Sequence, residues 1–137
     1  MTRLMLAALL ACAPALAVMG QGNPVDRAIK AVAGRDAEVA FYTDIRPDCT
    51  SGPLPAIRLA VPPLHGTVAV KRATLKATNL KQCLGLEVPA FVAFYHATPG
   101  FAGADIFELE VTMPDGRKRH ERVSVTVTSG TGSGQGI

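Results

Sequence analysis

The feature that most constrains this chain is a hydrophobic period of two. Val123, Val125 and Val127 stand opposite Ser124, Thr126 and Thr128, and Phe107, Leu109 and Val111 stand opposite Glu108, Glu110 and Thr112. In Ala56–Val61 the residues Ile57, Leu59 and Val61 share a side with Arg58 on the other; Val68 and Val70 share a side of Gly66–Val70. Val39 and Phe41 alternate against Glu38 and Ala40. Successive side chains of a strand point to opposite faces, so this alternation marks half-buried β-strands. Phe91–Tyr95 is apolar on both faces, as a buried central strand is. Shorter strands are expected at Ala73–Lys76 and Leu86–Val88. Pro114-Asp115-Gly116 lies between two of the strongest runs and reads as a hairpin turn, because Asp-Gly tolerates positive φ. With no long amphipathic helix in competition, the pattern predicts an all-β, antiparallel sandwich of about seven strands.

The alternating runs fill residues 37–128, which are expected to form the folded domain. Before them, 18–36 has weak helical spacing at Val25, Ala28, Ile29 and Val32 and is stopped by Gly34, so it reads as a linker or a short helix. The first 17 residues read as a secretory signal peptide: Arg3 is basic, Leu4–Leu10 is apolar, and Ala15-Leu16-Ala17 is a small-x-small cleavage pattern. A membrane anchor needs about 20 apolar residues, and Pro14 breaks this run, so an integral membrane protein is not expected. Leu9-Leu10-Ala11-Cys12 loosely resembles a lipobox, which leaves lipid anchoring through Cys12 as an alternative to a free periplasmic or secreted protein. The final residues 129–137, SGTGSGQGI, have little to bury and are expected to form a flexible tail.

Composition narrows the function classes. At 137 residues the chain has no room for a multidomain enzyme, and 18% charged with 48% hydrophobic residues is unlike a disordered chain. A net charge of +3 is small for a nucleic-acid binder, and no nucleic-acid partner is expected. Once Cys12 leaves with the signal peptide, Cys49 and Cys83 remain in an oxidising compartment. Their spacing is not the CxxC of a redox pair, so a structural disulfide between them is expected.

Two segments carry a resemblance. Pro63-Leu64-His65-Gly66-Thr67-Val68 resembles the P-x-H-G-x-V signature of bacterial cadherin-like and Ig-like repeat domains. The stretch Phe94-Tyr95-His96-Ala97-Thr98-Pro99-Gly100-Phe101-Ala102-Gly103-Ala104-Asp105-Ile106-Phe107 is similar to their Y-x-P-x-P-G-F-x-G-x-D-x-F segment. The match extends over about Ile57 to Val127; Ala97 replaces the usual first Pro, the cysteine pair is not a general family feature, and the module occurs once. The resemblance implies an Ig-like sandwich with a surface, adhesive or ligand-binding role, and not catalysis. It also marks His65, Gly66, Pro99, Gly100, Phe101, Gly103 and Asp105 as turn-motif residues. Independently of it, Gly100 and Gly103 suit tight turns, and Asp105 can accept backbone N–H bonds.

Other residue clusters point to chemistry less directly. The carboxylates Asp44, Asp48, Asp105 and Asp115 are scattered, without the clustering that calcium needs. His65, His96 and His120 lack HxH or HExxH spacing, so no metal is expected; the alternative reading is a periplasmic copper or zinc binder using His65 and His96. No GxSxG or SxxK motif suggests a nucleophile, no cofactor is implied, and no enzymatic activity is expected. Arg117, Lys118, Arg119 and Arg122 form the one basic concentration and are the candidate partner-contact residues. They could meet an envelope protein or an anionic glycan, or simply protect a sheet edge. The expectation is therefore an exported, monomeric, non-enzymatic Ig-like or cadherin-like module with a binding or envelope role.

Overall fold

Seven strands carry almost all of the regular structure in the computed structural model, which describes residues 24–78 and 81–130. The expected signal peptide with Cys12 lies outside the described residues, as do 131–137 of the expected tail. The strands are β1 (Val25–Val32), β2 (Asp36–Tyr42), β3 (Ala56–Val61), β4 (Gly66–Lys76), β5 (Glu87–Ala97), β6 (Gly103–Thr112) and β7 (Lys118–Thr128). A single 3₁₀ turn, Lys81–Cys83, precedes β5. No helix among the described residues is long and apolar enough to cross a membrane.

The strands form two sheets, ordered β1-β7-β6-β3 and β2-β5-β4, stacked as a β-sandwich. Between them lie Tyr42, Ala93, Tyr95, Phe107, Leu109, Val111, Val123, Val125 and Val127, all buried. Tyr95 and Phe107 stack across the interface with ring centroids 5.8 Å apart. The period-two valines of β7 and the Phe107-Leu109-Val111 series of β6 supply one inner face, as their alternation requires. β6 and β7 are joined by the Pro114-Asp115-Gly116 hairpin, closed by Met113 N–H to the Arg117 carbonyl at 2.8 Å. The central strand β5 is buried on both faces: Ala93 and Tyr95 point into the core, while Val88, Ala90 and Val92 are covered on the outside. The two short runs expected at Gly66–Val70 and Ala73–Lys76 are one continuous strand, β4.

Three expectations are corrected. The segment 18–36, read as a linker or short helix, contributes β1 and the start of β2. Its spacing fits a strand as well as a helix, since Arg27, Ile29 and Ala31 also recur every second residue and form its inner face. β1 runs parallel to β7, so the sandwich is not wholly antiparallel. The tight turn Val32–Arg35, closed by Arg35 N–H to the Val32 carbonyl at 3.0 Å, carries the chain from one sheet to the other and leaves β1 alongside β7. The third correction concerns facing. Extra residues at Val39 and near Ala60 form β-bulges that break the alternation. Ala40 and Tyr42 therefore face the core while Phe41 is 52% exposed, and Val61 turns out opposite Glu108.

Cys49 and Cys83 are joined, with Cα atoms 5.4 Å apart. The bond links the β2–β3 connection to the 3₁₀ turn before β5, two loops with few strand hydrogen bonds of their own. Cys49 sits at φ 65°, a left-handed conformation that costs an L-residue about 1–2 kcal/mol. Replacing both cysteines with serine is expected to lower the unfolding free energy by up to about 4 kcal/mol, the loop-entropy value for this separation. Denaturant titration of the two proteins checks this, and equal midpoints would contradict it.

Candidate functional site

The turn-motif residues converge at one end of the sandwich around Asp105. This carboxylate is 6% exposed, at the third residue of β6. Its Oδ1 accepts the N–H groups of Leu64 (3.1 Å) and Ile106 (2.9 Å). Its Oδ2 accepts the N–H of His65 (2.9 Å) and the hydroxyl of Tyr95 (2.8 Å). Four donors occupy the four lone-pair positions of the group, tying the Pro62–His65 corner to β5 and β6. Burial alone would raise the Asp105 pKa; the Tyr95 hydroxyl and the three N–H donors outweigh it and hold the carboxyl below its usual value. The His65 ring stacks on Phe101 at 4.0 Å, nearly parallel. Gly66 is required here: a Cβ would meet the Tyr95 ring at 2.7 Å and the His96 carbonyl at 2.6 Å. Gly100 supplies φ 84° to the Thr98–Phe101 turn, with Pro99 beside it and Gly103 opening β6.

A second buried carboxylate, Glu121, was not singled out by sequence. It is fully buried at the hairpin end of the core. The Tyr42 hydroxyl donates to it at 2.5 Å, Arg27 Nε at 3.2 Å and Arg119 Nη2 at 2.7 Å. These donors come from β1, β2 and β7, so the group joins the two sheets. Burial would raise its pKa, but the bonds from Arg27 and Tyr42 and the charges of Arg27 and Arg119 hold it low. Burial, together with the bond to Glu121, pushes the Tyr42 hydroxyl up. A signal was present: 121 has the same parity as Val123, Val125 and Val127, which places an acid on the core face with an arginine two residues before it.

The basic hairpin residues do not form one free surface. Arg117 pairs with Asp115 at 2.6 Å, Lys118 with Glu110 at 3.4 Å and Arg122 with Glu108 at 3.0 Å. Arg119 turns toward Glu121 on the core side. Arg58 of β3 also reaches Glu110, at 3.2 Å, so the outer face of this sheet is a ladder of opposite charges. The histidines are held separately, His65 by Phe101 and His96 by Asp36 at 2.8 Å. Among the described residues no group of three or more His, Cys, Asp or Glu gathers as a metal-binding cluster.

A concave surface lies instead on the outside of the β2-β5-β4 sheet. Phe41, Leu75, Ala77 and Val88 give it an apolar lining, and Thr43, Asp44 and Ile45 from the β2–β3 loop form a wall. Its volume is about 570 Å³, within the range of sites for small ligands or side chains. The two connections beside it, after β2 and after β4, are those that the Cys49–Cys83 bond joins. Glu38, Asp44 and Lys76 bring charge to it. The bulge at Val39 is what turns Phe41 outward into this groove.

No family model matches the chain, and no curated protein matches it.

Both buried carboxylates have folded pKa values below their unfolded ones. The stability they contribute is complete above the ordinary carboxylate range and lost as pH falls through their lower folded values. The thermal midpoint is therefore expected to hold down to about pH 5 and to fall steeply below about pH 4. Asp105→Asn and Glu121→Gln should each cost roughly 3 kcal/mol near neutral pH and flatten that acid limb. A wild-type midpoint independent of pH from 7 to 3 would contradict the assignment.

Proposed function

We propose that this protein is an exported, non-enzymatic Ig-like, cadherin-like module that works by binding, with the disulfide-framed groove as its contact site. The observation that carries the reading is the outward position of Phe41 beside Leu75, Ala77 and Val88, a concave apolar surface on a sheet face. The convergence of the P-x-H-G-x-V and P-G-F-x-G-x-D segments on Asp105 supports the cadherin-like resemblance. The Cys49–Cys83 bond supports an oxidising, periplasmic or extracellular location, whether the chain is free or held through Cys12. The two buried carboxylates are saturated by partners that hold the fold, which suits a scaffold more than a reaction centre. Glu38 and Asp44 at the groove favour an apolar side chain of an envelope protein over an anionic glycan.

N-acetyl-phenylalanine amide is a suitable probe for an apolar side chain. Titrated into ¹⁵N-labelled protein, it is expected to move the signals of Phe41, Leu75, Ala77 and Val88, and Leu75→Glu should abolish the effect. Shifts scattered over the surface, or none at millimolar probe, would count against the groove. Expression of the full chain in a bacterial host should yield an exported product lacking residues 1–17; an unprocessed, reduced product in the cytoplasm would count against export.

A further inference from the structure

The two sheets leave four edge strands, β1, β3, β2 and β4, and each exposes backbone groups that another chain could pair with. Three of them carry some protection. β2 is bulged at Val39, and β3 is six residues long, bulged after Leu59 and followed by Pro62 and Pro63. β1 packs against β2 and carries both charge signs, with Asp26, Arg27 and Lys30. β4 differs from all three. It runs eleven residues in unbroken register against β5, from Gly66↔Ala97 to Lys76↔Glu87, and contains no proline.

The flank beside β4 is open. Val70 pairs with Ala93 and so points to the core side, yet it is 39% exposed. Leu59, on the core side of β3, is 37% exposed. A strand laid along β4 would send alternate side chains into this opening, against Val68, Val70 and Leu59.

Charge says what that strand should be. β4 carries no carboxylate; Lys71 lies on the outer face of the sheet, while Arg72 and Lys76 have the core-side parity of Val68 and Val70. Lys71 lies 5.3 Å from the centre of the Phe94 ring, and neither Arg72 nor Lys76 is ion-paired among the described residues. A second copy pairing β4 with β4 in antiparallel fashion would set Lys71 and Arg72 against their own kind, which disfavours it. We propose that the free edge of β4 receives an extended segment of a partner protein, added as a further strand of the β2-β5-β4 sheet, whose apolar residues lie on the core side beside Val68 and Val70 and whose alternating acidic residues lie on the outer side beside Lys71. This site shares Leu75 and Lys76 with the groove but rests on the free backbone edge of β4, so it does not depend on the groove binding a ligand.

The test uses a fluorescein-labelled nonapeptide of alternating valine and glutamate, with a valine–lysine peptide as its control, and anisotropy as the readout. The glutamate peptide is expected to bind at least about tenfold more tightly, and Lys71→Glu/Arg72→Glu to remove that advantage. Both side chains are exposed, so the fold should survive, with circular dichroism as the check. On the wild-type protein, N-methylation of alternate glutamate-peptide amides should abolish binding, because the ladder bonds cannot form. Hydrogen exchange should show new protection confined to 66–76 and its neighbours in β5. Equal binding of the two peptides, full binding by the methylated one, or protection elsewhere would overturn the proposal. So would self-association of the protein through this edge, suppressed by the double variant.

Discussion

A carboxylate taken out of water into a sandwich core costs several kcal/mol unless donors meet it on every side. This small fold accepts that condition twice, near opposite ends of its core. Asp105 answers it with three backbone N–H groups and the Tyr95 hydroxyl, and in doing so sets where the chain leaves β3 and enters β4. Glu121 answers it with Arg27, Arg119 and the Tyr42 hydroxyl, which reach it from both sheets. Both tyrosines of the chain are spent on these two groups. With few aromatics to fill the space, relative placement of the sheets depends on the directional bonds as much as on apolar contact.

The arrangement also accounts for residues that look costly in isolation. Arg27 lies on the inner face of an edge strand because Glu121 is there to receive it. Gly66 forgoes a side chain because the Tyr95 ring must pass close to the backbone to reach Asp105. The left-handed Cys49 is held in a loop that the disulfide closes. In each case a local penalty is offset by a contact far away in sequence.

Much of the sandwich was legible because period two is a local signal. β3 occupies the residues its alternation marks, and the inner faces of β6 and β7 are the Phe107 and Val123 series. The misread parts share one cause, which is that distant partners decided them. Helical and strand spacings coincide in Val25–Val32, and only β7 alongside resolves the choice. A bulge at Val39 reverses the facing of Phe41, and nothing in the five residues around it announces the extra residue. The groove combines β2, β4 and β5 with loops that the Cys49–Cys83 bond joins, so the pairing was readable from sequence but the surface beside it was not. The hairpin at 114–116 already sets the basic run from Arg117 to Arg122 beside Glu108 and Glu110, but the individual pairs, Lys118 with Glu110 and Arg122 with Glu108, depend on a register that the sequence does not show.

The parallel pairing of β1 and β7 has a mechanical side. The first and last strands lie side by side over eight register positions, from Val25↔Glu121 to Val32↔Thr128. Because they run the same way, the chain enters the domain at one end of this ladder and leaves it at the other. Tension applied between the two ends therefore pulls along the strands, and the hydrogen bonds between β1 and β7 share the load in shear. An antiparallel pair in the same place would have its bonds opened one after another, like a zip.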